Sequence, residues 1–244
     1  MTIDFNAVTQ AFADRRPSGE VLELQETYSA LRERVVPHID VPPGGKMGDR
    51  NRIRLYALAY RQVLLHRAIS LFEGSLQAAI DENAYVMILA VRASLETTAA
   101  LGYLHNRLSS LAAGNLEATK VDEDIMTQIL GTRDTYIPQA MPPKQILSML
   151  EYADVSVSKK ILGGQAKEHT ILRESYDFLC EFAHPNFHSN KIAFDLDRSH
   201  KRFVFRYEAR IQNKIFSTIG YLLLSAPLHI ALHDGINEVL PDAP

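Results

Sequence analysis

The sequence predicts an all-α fold, a bundle of six to seven helices that carries one small β-hairpin at about residues 191–207. Three observations predict it. Apolar residues recur at three- and four-residue spacing in long runs divided by glycine, proline and Asx residues. The run from Ala84 to Leu104 is apolar on nearly every side, the mark of a buried helix. Only in residues 192–207 does the pattern switch to strict alternation, with Ile192, Phe194 and Leu196 and then Phe203, Phe205 and Tyr207 on one face.

Taken in order, Arg15-Arg16-Pro17-Ser18-Gly19 reads as a loop within a mixed start. Val21, Leu24, Tyr28, Leu31 and Val35 then predict a helix over Glu20–Val36, stopped by Pro37. Val41-Pro42-Pro43-Gly44-Gly45 is a break, so residues 1–45 form an N-terminal helix and tether ahead of one helical-bundle domain, 46–244. That first helix either packs on the body or joins a second copy of the chain as a homo-oligomer. A long helix follows at about Asn51–Ile80, with Ile53, Tyr56, Tyr60, Val63 and Leu64 on one face. Asn83 is a candidate N-cap for the helix Ala84–Ala113, which Gly114-Asn115 ends. Leu116–Leu130 and Lys144–Ala153 are shorter helices around a loop at 134–143. Gly163-Gly164 closes another loop before a helix from Gln165 to about Ala183. A long helix from Glu208 to about Glu238, kinked at Pro227, completes the chain. The polar stretch Asp197–Lys201 turns the hairpin, which should lie against the helices because a lone hairpin is marginal in water.

Length and charge bound the function. At 244 residues the chain buries a real core. A net charge of -3 excludes a strongly basic, histone-like nucleic-acid binder but not a local basic patch. Two such clusters stand out, Arg50/Arg52/Arg54/Arg61 and Lys201/Arg202/Arg206/Arg210/Lys214. Each reads as a nucleic-acid backbone contact or as a solvated face. The single cysteine, Cys180, excludes an intrachain disulfide and a CxxC zinc site, and fits a reducing cytosol. Met1–Asn6 does not read as a signal peptide, so a cytoplasmic location is expected. The stretch nearest to a membrane span, Ile215–Leu232, holds Ser217, Thr218, Pro227 and His229 and reads as a buried helix; no membrane partner is expected.

Arg92 and Glu96 are the only charges in the apolar run, and at i, i+4 they share a face. Buried charges need partners. The pair is either a self-neutralising core contact or the lining of a cleft, where the guanidinium fork meets phosphate or carboxylate. Arginine before glutamate is the weaker helical order, which favours a further partner for Arg92.

The second charged stretch is Tyr176–His188. Asp177, Glu181 and His184 form one stripe of a helix that Pro185 stops, which leaves His184 at the helix end. There it is either a cap for carbonyls or a proton-transfer group near neutrality. Glu181, His184 and His188 have metal-ligand chemistry, but Pro185 keeps the two histidines off one helical face. His229 and His233 form an i, i+4 pair followed by Asp234, and dipole-favoured histidines near a helix C-terminus are the expected outcome. Neither set predicts a metal, and no cofactor is expected. No glycine-rich phosphate loop or G-x-S-x-G elbow occurs. Cys180 precedes His184 by four, but among Leu179 and Phe182 it reads as a core thiol.

Leu89-Ala90-Val91-Arg92-Ala93-Ser94-Leu95-Glu96, Ile129-Leu130-Gly131-Thr132-Arg133 and Tyr176-Asp177-Phe178-Leu179-Cys180-Glu181-Phe182-Ala183-His184-Pro185-Asn186-Phe187 resemble a group of uncharacterised bacterial helical proteins. That group carries an R-x-x-x-E helix and a later Y-x-x-L-S-E-[FY]-x-H-P-N helix end; Cys180 stands where the pattern has serine. More distantly the chain resembles the HEPN superfamily of helical bundles, several of which are metal-independent ribonucleases of toxin and phage-defence systems. Their motif places an arginine and a polar residue shortly before a histidine on one helix. Phe178 and Leu179 occupy those positions here, so Arg92 has to come from a neighbouring helix. The resemblance implies RNA as partner, with His184 as general acid or base, Arg92 on the phosphate, and Glu96 or Glu181 as orienting groups. Arg133, Tyr176, Asn186 and His188 are the candidate substrate-binding residues beside them. The other reading is a non-catalytic binding or assembly module, in which Arg92, Glu96, Glu181 and His184 form a structural network or shape a small-ligand pocket.

Overall fold

The structure, a computed structural model, describes residues 3–41, 45–134, 136–138, 140–161, 170–206 and 210–241. It is all-α with one two-stranded antiparallel hairpin. The helices are α1 (Phe5–Phe12), α2 (Ser18–Glu33), α3 (Arg50–Ile80), α4 (Ala84–Ala112), α5 (Ala118–Leu130), α6 (Ile146–Ile161), α7 (Ile171–Ala183), α8 (Phe187–Asn190), α9 (Asn213–Phe216) and α10 (Tyr221–Val239). Strands β1 (Phe194–Asp197) and β2 (Arg202–Phe205) lie between α8 and α9. The expected features at Pro42-Pro43-Gly44, Gly163-Gly164, Gln165, Tyr207 and Glu208 lie outside the described residues.

Side-chain caps fix several helix starts. Asp4 accepts from the N–H of Asn6 at 2.9 Å, Asp49 from Asn51 at 2.8 Å, and Asn83 from Val86 at 3.2 Å. At α7 the cap comes from another helix. Asp154 of α6 accepts from the N–H groups of Leu172 at 2.9 Å and Arg173 at 3.2 Å. Burial pushes the Asp154 carboxyl up, and these two donors act against that. Gly114 ends α4 at φ +72, a left-handed conformation that glycine adopts without a Cβ clash.

α4 is the central element. It packs against α3, α6, α10 and α7, and its apolar residues join one continuous core. The approach of α6 is close at Gly102, where an added Cβ would stand 2.5 Å from the Cβ of Ala153. Small polar groups bind the layers internally: Ser94 and Ser225 hydroxyls are 3.0 Å apart, and Thr98 donates to the Ser225 carbonyl at 3.1 Å. Two helical runs are long and apolar enough to cross a membrane, Ala84–Ala112 and Asn213–Val239, and more than half of each tested window is buried inside the protein.

The N-terminal helices share that core. Val8 and Phe12 of α1 and Leu24 and Leu31 of α2 are buried, so the apolar stripe of α2 is satisfied by α10 and α3 of the same chain. Arg34 clamps α2 to α10 through both oxygens of Asp234, at 2.9 and 2.6 Å. Glu82, at φ +55, ties the α3–α4 turn to two other segments: it accepts from Arg15 bidentately at 3.2 and 2.8 Å, from Arg210 Nε at 3.2 Å and from the Ile211 N–H at 2.7 Å.

The structure departs from the sequence reading in several places. α1 occupies a stretch read as irregular, because eight residues are too few for a clear period. α6 runs on to Ile161 rather than ending at Ala153. The last helical run begins at Asn213, after non-helical residues 210–212, and passes through a 3-10 turn at Ser217–Gly220 into α10, which holds Pro227. The strands of the hairpin are not buried against the helices, with every residue of β2 exposed, and its base at Phe205 faces the α3–α4 turn across a cavity.

The histidines of α10 also differ from expectation. His229 is fully buried and neither ring nitrogen has a hydrogen-bond partner among the described residues. Burial, then the neighbouring His233, lowers it to about 3, and burial and Arg61 lower His233 to about 4. Core packing of α10 outweighs any dipole preference for imidazolium.

Two outcomes follow. Gly102→Ala is expected to lower stability by about 1–3 kcal/mol in urea unfolding, through overpacking of α4 on α6. Because both histidines have depressed folded-state values, the unfolded chain takes up their protons first as pH falls below the ordinary histidine value near 6.5. Stability, constant above that pH on this account, then drops through the interval toward 4 and 3, by on the order of 2 kcal/mol per histidine at pH 5. Urea midpoints from pH 8 to 4.5 measure the slope, and His229→Leu should flatten it.

Candidate ligand-binding groove

A groove of about 750 Å³ opens beside the middle of α4. Its floor is a stripe of α4, Arg92, Glu96, Thr97 and Ala100, and one wall is α3, with Tyr60, Val63, Leu64 and Arg67 at i, i+3, i+4 and i+7. The end of α5, the loop residue Arg133, and Lys144 with the start of α6 form the opposite side; Tyr176 of α7 closes one end.

Arg92 is held from two sides. Its Nη2 lies 3.0 Å from Glu96 Oε1 and donates to the Tyr176 hydroxyl at 2.7 Å. The guanidinium carbon also lies over the Tyr176 ring at 4.9 Å. Tyr176 is thus the further partner that the Arg–Glu order called for. The pair is neither a sealed core contact nor fully solvated: side-chain exposure is 20% for Arg92 and 28% for Glu96. Burial pulls the guanidinium down, but Tyr176, Glu96 and Cys180 outweigh it and the net shift is upward. Burial likewise raises the Tyr176 hydroxyl, against the pull of Arg92.

The lining charge is one-sided. Among the described lining residues, Arg67, Arg92, Arg133 and Lys144 face one carboxylate, Glu96. Arg67 Nε donates to Thr97 Oγ1 at 3.0 Å, and Lys144 Nζ reaches Asp124 Oδ1 at 3.3 Å. Arg133 is exposed and makes no ion pair with a described residue. Burial, opposed by Arg67, pushes the Tyr60 hydroxyl up to about 12, so it stays a neutral donor at neutral pH. Val63, Ile129 and Leu147 are exposed apolar side chains on the walls.

The structure therefore brings together Arg92, Glu96, Tyr176 and Arg133 of the candidate site residues. It does not bring in the others. His184 follows Tyr176 by eight residues, about 12 Å along the helix at ~1.5 Å per residue. It is exposed, extended at the α7 C-cap, does not line the groove, and no hydrogen bond or ion pair links it to Arg92 among the described residues. The expected convergence of the two is not formed, because α7 presents Tyr176 to the groove and ends two turns later.

Glu181, Asn186 and His188 have a different job. Asn186 caps α8 by accepting from the N–H groups of His188 at 3.0 Å and Ser189 at 3.2 Å, and its amide donates to Glu181 at 3.3 Å. His188 packs its ring near Phe182, centroids 5.6 Å apart, and Tyr85 of α4 donates to the Ser189 carbonyl at 3.1 Å. Pro185 stops one helix and Asn186 starts the next, which launches the chain into the hairpin.

Sequence reasoning missed Tyr60, Arg67 and Lys144 as groove residues. Arg67 follows Tyr60 by seven on one helical stripe, and that periodicity was the available signal. Three of the four arginines in the basic series on α3 are spent internally: Arg52 pairs with buried Asp122 at 2.8 Å, Arg54 donates to the Pro241 carbonyl at 3.1 Å, and buried Arg61 donates to the His233 carbonyl at 3.1 Å and to Asn237 at 2.6 Å, while Arg50 is exposed. Among the described residues, no three His, Cys, Asp or Glu side chains gather as a metal-holding group. No family model, curated protein or solved structure matches this chain.

Proposed function

We propose that this protein is a binding module whose groove takes a small organic anion, a phosphate or carboxylate carried on an apolar or aromatic body. The observation that carries this reading is the charge of the described lining, four cations against Glu96 and the Asp124 behind Lys144, with Arg92 pre-oriented by Tyr176 and Glu96 at the floor. A planar fork fixed from two sides loses little freedom on meeting an oxyanion. The exposed Val63, Ile129 and Leu147 offer apolar surface to the body of the ligand. Metal-independent RNA cleavage, with Arg92 on the phosphate and Glu96 orienting, has less support, since it needs a proton-transfer group in the groove and His184 stands outside it.

Isothermal titration with pyrophosphate and with a nucleoside triphosphate tests the reading. The wild type is expected to bind the triphosphate more tightly than pyrophosphate, because only the former fills the apolar walls. Arg133→Ala should weaken binding about tenfold through loss of one charge-assisted contact, with the ligand-free unfolding midpoint unchanged. Glu96→Gln removes the internal competitor for Arg92 and should tighten binding a few-fold. Absence of binding by both probes, or equal binding by Arg133→Ala and wild type, overturns the proposal.

A further inference from the structure

The hairpin has a composition that core packing does not explain. In its register Phe194 pairs with Phe205 and Leu196 with Phe203, so these four share one face. Leu196, Phe203 and Phe205 are 54%, 61% and 60% exposed. None of the four belongs to the buried core or to the partly buried set around it. Exposed apolar surface of this kind marks an interaction site.

The charge around the face says what it meets. Residues 191–214 hold seven Lys and Arg against three Asp and Glu, within a chain of net charge -3. Of the acids that are described, Asp195 is neutralised by Arg206, and Asp197 lies 2.7 Å from His200 and 3.4 Å from Arg202. Arg198 and Lys201 at the turn are exposed and make no ion pair with a described residue. A second copy of the same face would bring like charges together, which disfavours self-association through it.

We propose that this face is a stacking platform for single-stranded nucleic acid. Phe203 and Phe205 lie two residues apart on β2, about 7 Å along a strand, roughly twice the ~3.4 Å rise of stacked bases in one strand. Successive bases of an extended single strand reach this face, and the exposed Arg198 and Lys201 at the turn meet the phosphates beside it. A duplex hides its base faces and cannot use the rings. An acidic lipid surface fits less well, because the hairpin tip is the polar Asp197–Lys201 and the apolar residues run along the strands behind it.

Fluorescence anisotropy of a labelled 12-nucleotide single strand, against its duplex and against phosphatidylserine vesicles in sedimentation, tests this on the full chain. The single strand is expected to bind at least tenfold more tightly than the duplex. Phe203→Ala and Phe203→Leu should each weaken it at least fivefold, the second because stacking needs the ring and not apolar area alone. Lys201→Ala should weaken all sequences alike and reduce the salt dependence. The exposed position of Phe203 keeps unfolding midpoints of these variants near wild type, and Arg133→Ala should leave strand binding unchanged, which separates this site from the groove. Equal affinity for duplex, full retention by Phe203→Leu, or association with vesicles alone overturns the proposal.

Discussion

From Val91 to Leu108 α4 is buried on nearly every side and leaves little solvent face on which to place a charge. It is packed by α3, α6, α10 and α7, with Gly102 admitting α6 to near contact. Its polar residues therefore have to be matched by partners from other elements. Serine and threonine do this with α10 hydroxyl and carbonyl groups. Arg92 does it with Glu96 one turn on and with the Tyr176 hydroxyl of α7. The requirement that a half-buried guanidinium be satisfied thus ties α7 to α4, and the groove lies between this pair and the Tyr60–Arg67 stripe of α3.

That constraint was visible in the chain before any coordinates. The apolar run with two charges, the Asn83 cap, the Gly114 stop and the hairpin alternation all sit where the periodicity places them. Arg92, Glu96, Tyr176 and Arg133 are assembled from segments that the sequence singled out. What could not be read is the turn of α7 about its own axis. Tyr176 and His184 are eight residues apart, and only packing decides which of them faces α4. The same holds for Asp154, whose capping of α7 crosses from α6 and has no local signature. Arg52, Arg54 and Arg61 of α3 looked like part of a surface patch because their partners, Asp122, Pro241 and His233, lie far along the chain.

The stretch from Glu181 to His188 changes meaning in this light. Its residues have the chemistry of a catalytic site, yet their geometry is that of a joint: a proline stop, an asparagine cap and a carboxylate that holds the asparagine. The joint turns the chain out of the helical body and into a hairpin that the core does not need. α7 therefore connects two surfaces of different character, a cationic groove at Tyr176 and an aromatic, basic hairpin beyond Asn186. Buried histidines on α10 add a third property, an acid sensitivity that belongs to the core and not to either surface.

The account stands on the contact between Arg92 and Tyr176. A double-mutant cycle with Arg92→Met and Tyr176→Phe, read by urea unfolding, measures it free of other losses. The structure predicts a coupling energy of about 1 kcal/mol or more, as for a half-buried hydrogen bond to a charged group. Additive effects, with a coupling within about 0.3 kcal/mol of zero, would contradict it.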